Sequence, residues 1–124
     1  MVDVLIAEDD AAILDSLSFI LKRAGWSISS VMDGDAALQA VRRQRPRMVV
    51  LDIMLPKRTG LEVLKQMRAE EATCNVPVLI LTARGQQHDR EIAAELRADG
   101  FVTKPYSNGE VIEEVRRLLC AAVN

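Results

Sequence analysis

The chain has 124 residues, 49% of them apolar and 27% charged, with a formal net charge of −2. That balance excludes disorder, and the length predicts one domain over residues 1–124 whose core needs no disulfide or metal staple. Slight acidity and few aromatics (Phe19, Trp26, Phe101 and Tyr106) speak against direct nucleic-acid binding by this segment.

In chain order, Val2–Ala7 (VDVLIA) reads as a strand. Asp10–Ala24 follows as a helix, with Ile13, Leu14, Leu17, Ile20, Leu21 and Ala24 on one stripe and Gly25 as the stop signal. Ser27–Val31 alternates as a thin strand, with Trp26 expected to pack at the helix–strand corner. Asp33 caps a helix that runs through Arg43, buries Ala37, Leu38 and Val41, and ends before Pro46. Met48–Asp52 is a strand, Leu61–Glu71 a helix and Pro77–Thr82 a strand. Gln87–Arg97 is a helix and Phe101–Thr103 a short strand. Ser107–Ala122 is the most strongly patterned helix, with Val111, Ile112, Val115, Leu118, Leu119 and Ala122 on its stripe. Arg42-Arg43-Gln44-Arg45 is expected to be a solvated helix end.

No apolar run approaches the roughly 20 residues that span a bilayer, so no membrane segment is expected. The opening stretch VDVLIAEDD lacks a basic region and a cleavage site, so it does not read as a signal peptide. Cys74 and Cys120 have neither CxxC spacing nor a histidine companion, which argues against zinc and against a disulfide framework. Unpaired thiols fit a reducing compartment, and a cytoplasmic location is expected.

Strands and helices alternate, and strands apolar throughout, such as VVL and VLIL, expect helices on both faces. The fold class is therefore α/β, a doubly wound five-stranded parallel sheet. Such folds place their sites beyond the carboxyl ends of the strands. Those ends carry Glu8-Asp9-Asp10, Asp52, Thr82 and Lys104-Pro105. Converging there, the carboxylates of Glu8, Asp9 and Asp52 would repel one another unless a cation intervened. Oxygen ligands without His or Cys favour Mg²⁺. A magnesium ion and Lys104 together would suit a phosphoryl group carried on Asp52, because a carboxylate is a competent phosphoryl acceptor.

The ordered set VDVLIAEDD, VVLDIMLP, LILTAR and DGFVTKPYS resembles the receiver domains of two-component response regulators, over essentially the whole chain. The resemblance implies a (βα)5 flavodoxin-like sandwich with strand order 2-1-3-4-5. It implies that Asp52 is the phosphoacceptor, charged by a histidine kinase or a histidine phosphotransfer protein. It implies Mg²⁺ held by Asp9, Glu8, Asp52 and the backbone carbonyl of Met54, with Thr82 and Lys104 on the phosphoryl oxygens. Phe101 then matches the switch aromatic that follows Thr82, and Lys104-Pro105 a cis peptide bond. The fourth helix, fifth strand and fifth helix form the implied switching surface, read by a downstream protein or output domain and available for a homodimer. Either the receiver acts alone through protein contacts or it belongs to a longer regulator; if the chain is complete, action alone is favoured.

The sequence departs from the family pattern twice. Lys57-Arg58-Thr59-Gly60 follows Pro56 where Gly-x-Asp-Gly is common, and these basic residues are expected to alter partner choice or phosphoryl lifetime. Arg97-Ala98-Asp99-Gly100 stands where the family has Gly-Ala-Asp-Asp, so the turn before the last strand is expected to be rebuilt around Gly100, with dimer contacts affected. Blander readings exist for each residue: Glu8-Asp9-Asp10 as a helix-start acid cluster, Thr82 as a plain strand residue, Lys104 as a solvated lysine, Phe101 as core. His88 reads as a solvated residue at a helix start and not as a phosphohistidine donor. Among other functions, a dehalogenase-type phosphohydrolase wants an acid two residues beyond the nucleophile, where Met54 stands. A flavodoxin-like cofactor binder wants a phosphate loop where Glu8-Asp9-Asp10 would repel one. A receiver that binds partners without phosphorylation would not need the complete acidic set.

Overall fold

Apolar runs of four or five residues, each followed by an amphipathic stretch, build the sheet and its two flanking layers. The computed structural model describes residues 1–83 and 86–123, the last three of them by backbone alone. Arg84 of the LILTAR motif and the side chain of Ala122 therefore lie outside the described residues. The elements are β1 (Val4–Ala7), α1 (Ala11–Arg23), β2 (Ile28–Val31), α2 (Gly34–Gln44), β3 (Met48–Asp52), α3 (Gly60–Ala69), β4 (Val78–Thr82), α4 (Gln87–Glu95), β5 (Gly100–Thr103) and α5 (Asn108–Val123). All strand pairs are parallel, in the order β2-β1-β3-β4-β5. The architecture and strand order match the expectation.

Every residue of β1, β3 and β4 is buried, as central strands covered on both faces must be. Alternation divides them between two cores. Val4, Ile6, Met48, Val50, Leu79 and Leu81 face Leu14, Leu17 and Leu21 of α1 and Val111, Val115 and Leu118 of α5. Leu5, Ala7, Val49, Leu51, Val78 and Ile80 face α2, α3 and the single buried residue of α4, Ala93. Each fully buried aliphatic side chain contributes about 1.5–3 kcal/mol, so α4 is the most weakly held helix. Trp26 packs at the edge of the α1–α5 core under the Arg116 guanidinium, 5.6 Å from its ring.

Local chemistry sets the helix ends. Asp10 caps α1 by accepting the Ala12 and Ile13 N–H groups, and Asp33 caps α2 through Ala36. Thr59 and Glu62 form a reciprocal capping box at α3, which starts one residue earlier than its apolar stripe. α4 stops at Glu95, short of the expected Arg97, because Arg97 itself takes the left-handed conformation with φ 67°. The turn is thus not rebuilt around glycine. Gly100 lies within β5, where an added Cβ would sit 2.9 Å from Arg117 Nη2 and 3.1 Å from Leu79 Cδ1.

Candidate functional site

Register alone brings the site residues into one row. Ala7 pairs with Leu51, Asp52 with Leu81 and Thr82 with Thr103. Glu8, Asp52, Thr82 and Lys104 therefore line the carboxyl edge of four neighbouring strands. Side-chain alternation then sorts the row by face. Continuing the count from Val50, Ile6 and Val102, all in the α1–α5 core, sends Asp52, Glu8 and Lys104 to that side. Thr82, Phe101 and Thr103 fall on the α4 side, where Phe101 packs.

The contacts follow this division. Lys104 Nζ donates to Asp52 Oδ2 at 2.7 Å and to Glu8 Oε1 at 2.9 Å. The second oxygen of Asp52 accepts the Met54 N–H at 2.9 Å, and that of Glu8 accepts the Asp10 N–H at 3.2 Å. Glu8 and Asp52 are only 1% and 4% exposed. Asp9 stays in solvent, yet offers a carboxylate oxygen within 4.8 Å of those on Glu8 and Asp52. The acid triplet is therefore divided: Asp10 is a helix cap, while Glu8 and Asp9 belong to the cup.

Burial pushes the Glu8 carboxyl up; the Lys104 hydrogen bond opposes this, and neighbouring Asp52 adds to it. Burial also disfavours the Lys104 ammonium, but its bonds to Asp52 and Glu8 outweigh that cost and raise its pKa to about 12. Three carboxylates against one ammonium leave the cup short of positive charge. A set of hard oxygens with an unmet negative charge fits a divalent cation of the magnesium type.

The buried Thr82 hydroxyl lies 3.2 Å from that of Thr103. Thr103 is a partner the sequence reading missed, although its place at the end of the neighbouring strand was the signal. Phe101 is half-buried, with the Arg90 guanidinium 4.8 Å above its ring, a cation–π contact equally unforeseen. Met54 points its side chain into solvent, 63% exposed. The Lys104-Pro105 bond is cis, as expected. Lys57 and Arg58 do not reach into the cup; they pair with Asp33 and Asp35 at the head of α2. His88 is exposed on the first turn of α4. No helix among the described residues is long and apolar enough to cross a membrane.

The family model described as the response regulator receiver domain matches residues 4–116. The chain is 43% identical to the sensory transduction protein RegX3 of Mycobacterium tuberculosis, over 96% of this chain and 51% of that protein. It is 42% identical to the probable transcriptional regulatory protein TcrX of the same organism, over 95% of this chain and 50% of that one. The chain thus spans about half the length of the curated relatives it matches. Among solved structures, the receiver domain of the sensor histidine kinase PA1611 from Pseudomonas aeruginosa superimposes with a TM-score of 0.88 at 27% identity, covering 96% of this chain and 98% of that one. That structure has a magnesium ion coordinated in its active-site cleft.

Proposed function

Because the chain belongs to the response regulator receiver domain family, we propose that Asp52 accepts a phosphoryl group from a phosphohistidine on a histidine kinase or phosphotransfer protein. A carboxylate oxygen of Asp52 forms the new P–O bond as the donor's P–N bond breaks, and the bonding pair stays on the imidazole nitrogen. No separate general base is needed, because positioning and charge neutralisation do most of the work. Glu8, Asp9, Asp52 and the Met54 carbonyl are the groups that would hold Mg²⁺, which when bound neutralises charge on the phosphoryl oxygens. Lys104, already on Asp52, supplies a fixed positive charge at the same place.

Phosphorylation then draws the Thr82 hydroxyl away from Thr103 toward a phosphoryl oxygen. Phe101, on the same face of the sheet, moves into the vacated space. The surface of α4, β5 and α5 changes with it, and α4 is the element least tied down. A downstream protein, an output domain or a second copy of this chain reads that surface. TcrX, named a probable transcriptional regulatory protein and about twice this length, supports gene regulation as the output. Residues 1–124 act as one receiver unit in the cytoplasm. Met54, two residues beyond Asp52, offers no acid or base, which supports a phosphoacceptor over a turnover hydrolase.

The single observation carrying this reading is the Lys104 ammonium spanning Asp52 and Glu8 at the strand ends. With Mg²⁺ and beryllofluoride, amide NMR shifts should spread from residues 52–54 to β5 and α4, and Asp52→Asn should abolish them. An unchanged response in that variant would move the site elsewhere. Phosphotransfer profiling against the histidine kinases of the source organism identifies the donor.

A further inference from the structure

The two basic residues after Pro56 are anchored away from the acidic cup, on the head of the neighbouring helix. Gly34 donates its N–H to Pro56 O at 3.0 Å. Its Cα lies so near the loop that a Cβ would stand 2.0 Å from Arg58 O and 2.5 Å from Arg58 Cβ. Only glycine fits that approach. On either side of it, Arg58 Nε meets Asp35 Oδ1 at 2.6 Å and Lys57 Nζ lies 3.8 Å from Asp33 Oδ2. Lys57 holds φ at 68° to make the turn. The same short loop leads back through buried Leu55 to Met54, whose N–H anchors Asp52, and on to buried Ile53.

We infer that Gly34, flanked by Asp33 and Asp35, is a seat that positions the loop 54–58, and through it the Met54 carbonyl, for the divalent cation. The inference rests on the metal-dependent reading given above. Magnesium demands near-octahedral oxygen geometry and tolerates little displacement of a ligand. Exposed ion pairs contribute little energy by themselves, so the effect of this seat lies in geometry and not in stability. Gly34, Asp33, Asp35, Lys57 and Arg58 are accordingly positioning residues that touch neither phosphoryl group nor metal.

The test is Mg²⁺ affinity by isothermal titration calorimetry on the unphosphorylated protein. Gly34→Ala must push Arg58 aside, and its Kd should rise at least tenfold while far-UV circular dichroism stays native. Hydrogen exchange at the amides of residues 54, 55 and 57–60 should quicken in the same variant without metal. A folded Gly34→Ala protein with the wild-type Kd overturns the inference. Should that variant not fold, the double variant Lys57→Gln/Arg58→Gln decides, since neither side chain is buried. If the two cations are bystanders, removing them tightens Mg²⁺ binding by relieving repulsion; if they hold the seat, binding weakens about threefold, a change of about 0.7 kcal/mol. Unchanged or tighter binding overturns the seat. Failure of the wild-type protein to bind Mg²⁺ overturns this inference together with the reading beneath it, whereas equal binding by wild type and Gly34→Ala overturns this inference alone.

Discussion

Two charge clusters, each built around a buried charged side chain, sit at opposite ends of β4 and β5, and they are built on opposite principles. At the amino-terminal end, the Arg68 side chain is 8% exposed and donates to the carbonyls of Cys74, Val76 and Arg97 and to Asp99 Oδ2. Asp99 Oδ2 also accepts the Val78 N–H at 2.9 Å. The guanidinium meets the Asp99 carboxylate, and its other terminal N–H groups end on backbone oxygens. At the carboxyl end, Lys104 faces Glu8, Asp52 and nearby Asp9, and negative charge is left over. Burial of charge is therefore not by itself the mark of a functional site. The closed cluster clamps α3 to the turn before β5, while the open one carries the charge imbalance on which the proposed metal site rests.

Variants sharpen that contrast. The largest effect is expected from Asp52→Asn, which should remove the whole beryllofluoride response while leaving the urea midpoint near its wild-type value. Arg68→Met should do the reverse. It leaves three carbonyls without their donor beside a partly solvated Asp99, so stability should fall by about 1–2 kcal/mol in urea titrations, with a retained spectroscopic response to Mg²⁺ and beryllofluoride. A variant as stable as wild type would show that the closed cluster is ornamental.

Glu8→Gln should cost about tenfold in Mg²⁺ affinity yet leave the metal-free protein no less stable at pH 7. The sign follows from burial. The folded pKa of Glu8 lies above its unfolded value, so its contribution to stability is complete below the ordinary carboxyl range and is lost as pH rises through the folded pKa. Urea midpoints measured from pH 4 to 8 should therefore decline less in the variant than in the wild type. The smallest effect is that of Thr59→Ala at the head of α3, the helix whose tail carries Arg68. Loss of the capping box should lower stability by about 1 kcal/mol and alter neither cluster, so a changed Mg²⁺ affinity would count against their separation.

Much of this was legible in the chain. Apolar runs of four or five residues alternating with amphipathic stretches dictate the parallel sheet, and the sheet delivers Glu8, Asp52, Thr82 and Lys104 to one edge whatever their separation in sequence. Boundaries were less legible where a polar side chain sets the helix end, as Thr59 does, or where a residue other than glycine accepts positive φ, as Arg97 does. Arg68 was invisible because most of its partners are backbone carbonyls, which no side-chain pattern announces. The contact of Gly34 with Arg58 was hidden for a similar reason: it depends on the approach of two backbones. Thr103 was overlooked as an ordinary strand residue until register set it opposite Thr82.

The alternation that sends Lys104 to one side of the sheet and Thr103 to the other has a consequence for how a message travels. On the proposed reading, the acceptor cup and the Phe101 part of the switch would lie on opposite faces of one sheet layer, bridged by the adjacent residues Thr103 and Lys104. A message passed in that way would need no long relay through the protein interior, for the wall itself would be the wire.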